Sequence, residues 1–265
     1  ASERALRLVG SEMCIRDRFT FPLANQCSLV VLKEDATYVR SVVDQLGLLP
    51  FSPDEVWSTL YNIATKRPAL SRPKKSKSML LSKSIFVECM HEMIRSKIKQ
   101  SKKRGASGLS KSLSDTRDVL TNFFRSFDLV QIDQVSLNEL MGGLTLLCGG
   151  KKSTKLSFAF SLFDKRQTGN KKGKKALLKS KLDGEELFLF LRSFLIVTFS
   201  CCRQSWDLSD DAVNRYIADT ANMVTDDVMR YQWRKKKKER VDFDEFGQWY
   251  NEGGSRGYEY VVCGG

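Results

Sequence analysis

Apolar side chains return at three- and four-residue steps along most of this chain, the spacing that lines one face of a helix. Val39, Val42, Val43 and Leu46 do so within residues 36–48. Val56, Trp57, Leu60 and Ile63 follow Ser52-Pro53-Asp54-Glu55, which supplies an N-cap, a proline for the first helical position and acids near the positive helix end. Further amphipathic helices are predicted from Leu81 through Met90 and through Leu120, Phe123, Phe124 and Phe127, the latter capped by Asp115 or Thr116. Leu156, Ala159, Phe160 and Phe163 form another stripe, and Leu182, Asp183 and Glu186 open a very apolar helix that reaches Cys202. Ser209 or Asp210 caps a helix through Val213, Tyr216 and Ile217 toward Trp233, and residues 241–250 hold the last one. The apolar patch at residues 27–32 takes no assignment from pattern alone. The expectation is an all-α protein of helix–loop–helix units.

The connecting stretches differ in composition. Residues 66–77 are rich in Pro, Ser and Lys, and residues 95–114 are basic, Ser/Gly-rich and aperiodic, so 101–114 reads as a linker. At 265 residues the chain has room for one large domain or two small ones, and 42% hydrophobic and 10% aromatic content support a packed core. The formal charge of +13 is bunched at residues 97–104, 171–181 and 234–240. Such runs attract anionic surfaces weakly and without sequence preference, and no aromatics are interleaved to read a nucleic acid. Seven cysteines without a CxxC spacing are expected to be reduced thiols in a cytoplasmic protein. The longest apolar run, residues 187–202, is interrupted by Arg192 and short for a bilayer, so a buried helix and no transmembrane segment are expected. His91 is the only histidine and no glycine-rich phosphate loop is present, so no catalysis is expected. Residues 8–18 resemble one reading frame of a transposase-type sequencing adapter. Residues 1–18 are therefore set aside as an artefact, and the chain, which has no Met at position 1, is expected to be a fragment.

Acids occupy particular places between the predicted helices. Asp164, Thr168, Gly169 and Asn170 follow one helix, and Asp183 and Glu186 open the next after a lysine-rich interruption. This helix, oxygen-bearing loop and helix resemble the EF-hand, the calcium-binding unit of calmodulin and its relatives. Leu140-Met-Gly-Gly-Leu-Thr-Leu-Leu-Cys-Gly-Gly150 and Lys155-Leu-Ser-Phe-Ala-Phe160 extend the likeness, and residues 119–199 are similar to the middle of recoverin-like and calcineurin-B-like calcium sensors. The resemblance implies a calcium ion held by Asp164 (first position), Thr168 (fifth), Asn170 (seventh, through its carbonyl), Asp183 (ninth) and Glu186 (twelfth, bidentate). Two departures weaken that site: Arg166 stands at the third position, and residues 171–181 are inserted before the eighth. Nearly doubling the loop costs only about 0.6 kcal/mol in closure entropy. One lysine at about 9 Å repels a divalent ion by roughly 0.9 kcal/mol in water, so charge is the larger obstacle. Weak calcium binding at best is expected.

The same resemblance places degenerate loops elsewhere. Residues 128–139 keep acidic ends, but Val130 and Ile132 replace the third and fifth ligands and Asp133 replaces the glycine. Val241, Asp242 and Glu245 match the end of a fourth loop whose first half is cationic, and the first unit's loop lacks carboxylates. Four units pair in two lobes, and the family's short antiparallel bridge at the eighth position implies Leu81 against Val135 and Leu182 against Val241. The expected organisation is 19–100, the 101–114 linker, 115–150, 154–202, 207–252 and an unstructured end at 253–265. The implied function is a calcium-sensor-like regulatory or adaptor protein that offers an apolar groove to a partner helix. Leu144, Leu147, Phe188, Leu191, Phe194, Leu195 and Phe199 are the expected lining. The alternative is a regulatory fragment of a larger enzyme, such as a ubiquitin protease, kinase or oxidase.

Overall fold

The computed structural model describes residues 18–24, 27–66, 79–103, 113–166 and 180–252, and these are mostly helical. The hairpin β1 (Arg18–Pro22) and β2 (Ser28–Leu32) leads into α1 (Lys33–Leu46). Four units of helix, short strand and helix then follow. They are α2 (Pro53–Lys66), β3 (Leu80–Ser82) and α3 (Lys83–Lys103); then α4 (Leu113–Phe127), β4 (Gln134–Ser136) and α5 (Leu137–Leu147). The third is α6 (Lys152–Leu162), β5 (Lys181–Leu182) and α7 (Gly184–Ser200). After a turn of 3-10 helix at Arg203–Ser205, the fourth is α8 (Asp210–Lys236), β6 (Val241–Asp242) and α9 (Phe243–Asn251).

Local chemistry sets several helix starts. The Ser52 hydroxyl accepts the Glu55 N–H at 3.3 Å while the Glu55 carboxylate accepts the Ser52 N–H at 2.7 Å, a reciprocal capping box before α2. Ser209 caps α8 by accepting the Ala212 N–H at 3.3 Å. Thr116 does not cap α4, which already begins at Leu113; its hydroxyl instead donates to the Gln45 carbonyl at 3.3 Å and ties α4 to the end of α1. The predicted linker is shorter than the composition implied, because α3 continues to Lys103; residues 104–112 lie outside the described ones.

Both strand registers match the sequence expectation. β3 and β4 run antiparallel with Leu81 opposite Val135, and β5 and β6 with Leu182 opposite Val241. Each of these four residues is nearly or wholly buried, because a strand turns alternate side chains to opposite faces and the inward one here is apolar. The pairs are not separate lobes in their packing: one continuous apolar core runs through all four units. Gly142 and Gly143 on α5 make this possible. A Cβ on Gly143 would lie 2.4 Å from Phe127 Cζ and 2.8 Å from Val197 Cγ2, so only glycine lets α4, α5 and α7 close together. On the other side, Phe160 meets Phe190, Phe243 and Phe246 at ring separations of 5.3, 5.6 and 6.1 Å, joining α6 and α7 to α9.

The patch without an assignment is β2. Its hairpin and α1 are strapped to the far end of the chain: the Val30 N–H donates to Gln204 Oε1 at 2.7 Å and the Ala24 N–H to Thr220 Oγ1 at 3.2 Å. Asp35, 1% exposed, accepts the N–H groups of Leu32 at 2.8 Å and Arg203 at 3.0 Å. Most of the expected groove is also accounted for differently. Leu144, Leu147, Leu195 and Phe199 are buried in the core, which leaves Phe188, Leu191 and Phe194 half-buried on α7. Among the described residues, no helix is long and apolar enough to cross a membrane.

Candidate functional site

Three acids expected to share a site do come together. Asp164 follows directly on α6, where Phe163 ends the helix. Asp183 and Glu186 open α7 as a capping box: the Asp183 carboxylate accepts the Glu186 N–H at 3.0 Å, and the Glu186 carboxylate accepts the Asp183 N–H at 3.0 Å. Glu186 also accepts the Lys165 N–H at 2.9 Å, and Asp164 accepts those of Arg166 and Lys181, each at 3.1 Å. Asp164 and Glu186 are 7% and 1% exposed. Thr168 and Asn170, the other two expected ligands, lie outside the described residues, as does the insert up to residue 179.

The acids meet through a guanidinium. Arg240 Nη2 donates to Glu186 Oε2 at 2.9 Å and to Asp164 Oδ1 at 3.3 Å, and Nη1 donates to Asp183 Oδ2 at 3.2 Å. Nη2 also donates to the Lys181 carbonyl. Position follows from register. Arg240 immediately precedes Val241, which faces Leu182 across the β5–β6 ribbon, so its side chain falls beside the acids that flank Leu182. A planar, permanently charged fork of donors suits a ring of carboxylate oxygens.

The other two loops with an acid at the end repeat the arrangement. Glu245 caps α9 with Asp242, accepting and returning N–H bonds at 3.1 and 2.9 Å. Its carboxylate also takes Lys238 Nζ at 2.6 Å and Lys236 Nζ at 3.0 Å. Burial alone would push the Glu245 carboxyl up, but Lys238, the Asp242 N–H and Lys236 together hold it down at about 2. Glu139, the last acid of residues 128–139, pairs with Arg192 of α7. The first acid of that loop, Asp128, is occupied by its own backbone, accepting the N–H groups of Ile132 at 3.0 Å and Asp133 at 2.7 Å. This tight turn needs left-handed backbone at Gln131 and Asp133, φ 54° and 56°. Lys83 meets the Asp133 side chain.

Each acid that ends one of these loops, Glu139, Glu186 and Glu245, therefore holds an arginine or lysine of the same chain. Among the described residues, no group of three or more His, Cys, Asp or Glu side chains is arranged to hold a metal ion. Sequence reasoning located the acids but missed their partners, Arg192, Lys236, Lys238 and Arg240. A signal existed for three of them: residues 236, 238 and 240 sit in the half-loop before Val241, where cations replace oxygen donors. No protein-family model matches the chain, and no curated protein matches it.

Proposed function

We propose that this chain is an EF-hand-like regulatory or adaptor protein whose paired hands are held by its own cations in place of calcium. The observation that carries this reading is Arg240, seated on Asp164, Asp183 and Glu186. The Glu139–Arg192 pair and the Glu245 cluster extend it to the other acidic loops. An arginine supplied from within the fold binds at an effective concentration set by the ribbon, not by the surroundings. The angle between paired helices is then fixed at all calcium levels, and the protein presents one surface constantly instead of switching.

That surface is the strip of Phe188, Leu191 and Phe194, at three-residue steps on α7 and half-buried. A partner's amphipathic helix laid along it is the contact proposed.

Thermal unfolding in EDTA and in 1 mM calcium chloride tests the first part. Coincident midpoints are expected. A site with a Kd of about 1 μM would add about 4 kcal/mol at that concentration, a rise of roughly 10 °C for a chain of this size, and such a rise refutes the reading. Anisotropy of a labelled amphipathic helical peptide tests the second part. Equal affinity with and without calcium, lost in Leu191→Glu, is expected; binding only in calcium refutes it.

A further inference from the structure

The basic run at the end of α8 divides into two sets. Four of its cations are used internally: Lys235 on Glu252 at 2.6 Å, Lys236 and Lys238 on Glu245, and Arg240 on the acid cluster. The others, Arg234 and Lys237, join Arg230 and Trp233 at positions i, i+3, i+4 and i+7, one exposed stripe of the helix. Trp233 is 50% exposed at its centre. Lys237, in the left-handed conformation that ends α8, lies with its ammonium 5.4 Å from the indole centroid. Among the described residues, Arg230, Arg234 and Lys237 make no ion pair. Asp226 and Glu239, both exposed, bound the stripe at its two ends.

We infer that this stripe is a docking surface for an anionic phospholipid headgroup layer. Three cations without an ion pair among the described residues, around a half-exposed indole, combine the charge that acidic headgroups attract with the amphipathic ring that settles at a membrane interface. A single-stranded nucleic acid fits less well. It needs a groove that follows the backbone and open aromatic faces for stacking, whereas this stripe is one exposed face of a single helix with one indole face under Lys237. The inference does not depend on how the acidic loops are filled.

Co-sedimentation with vesicles of phosphatidylcholine and phosphatidylserine at 7:3, against phosphatidylcholine alone, tests it at fixed ionic strength. Wild type binds only the mixed vesicles, which shield Trp233 from acrylamide. Neutralising Arg230→Gln, Arg234→Gln and Lys237→Gln together weakens binding about a hundredfold, from a factor of roughly five per cation. Trp233→Ala weakens it and removes the shielding. A control with the same change in charge at exposed sites elsewhere, Arg117→Gln, Arg125→Gln and Lys151→Gln, keeps near-wild-type affinity. The inference is overturned if wild type ignores the mixed vesicles, if the stripe variant binds as wild type does, or if the control loses as much. It is equally overturned if an oligonucleotide or polyglutamate displaces the protein from vesicles at equal charge concentration.

Discussion

Arg240→Ala strands three carboxylates at once. The side chains of Glu186 and Asp164 are 1% and 5% exposed, and Arg240 itself is 14% exposed, so little water replaces the lost guanidinium. Removing one partner of a buried ion pair costs about 3–5 kcal/mol, because the remaining charge stays desolvated. Here the N–H groups of Lys165, Arg166, Lys181 and Asp183 remain on the acids and carry part of that charge. The lower end, about 3 kcal/mol, is therefore expected. Against a total stability of about 5–15 kcal/mol this is a large fraction, and at about 2–4 °C per kcal/mol it lowers the unfolding midpoint by roughly 6–12 °C. Arg240→Lys keeps the charge but not the planar fork, and falls between. Arg240→Met preserves most of the apolar stem and separates packing from charge. Calorimetric melts of the three variants beside wild type read these shifts. A midpoint within 2 °C of wild type, or a methionine variant as stable as wild type, refutes the reasoning.

Gly143→Ala forces a Cβ against Phe127 and Val197 at 2.4 and 2.8 Å, so chemical denaturation is expected to show a loss of about 1–3 kcal/mol. The folded Glu245 carboxyl releases its proton far more readily than its ordinary value of 4.5, at about 2. Its contribution is thus present above pH 4.5 and disappears toward pH 2, and urea midpoints of wild type and Glu245→Gln converge over that interval. Asp35→Ala leaves the Leu32 and Arg203 N–H groups without their acceptor, at about 1–3 kcal/mol. Amide exchange at Arg203 accelerates accordingly, and unchanged exchange there contradicts the strap between α1 and the turn after α7.

How much was legible in advance depended on the range of the forces involved. The Leu81–Val135 and Leu182–Val241 registers follow from one buried apolar residue per short strand, a local demand. The gathering of Asp164, Asp183 and Glu186 rests on local backbone bonds: Asp164 accepts the Lys181 N–H, Glu186 accepts the Lys165 N–H, and Asp183 and Glu186 cap one helix together. Arg240 was visible only as the end of the cationic run 234–240 that fills the first half of the fourth loop. The structure gives that cation a use, because the side chain next to Val241 faces the acids around Leu182 rather than its own loop. The β1–β2 hairpin escaped because its fixing contacts reach Gln204 and Thr220, far along the chain. Periodicity also failed on α7. Leu195 and Phe199 look identical in pattern to Leu191, yet neighbours on several sides bury the first two and leave the third half-covered.

A crystal structure grown in millimolar calcium tests the central claim most directly. The account predicts Arg240 within hydrogen-bonding distance of Asp164, Asp183 and Glu186, as it is here. An arginine swung out to solvent, with an ion in its place ringed by six to eight oxygens at about 2.3–2.6 Å, would contradict it.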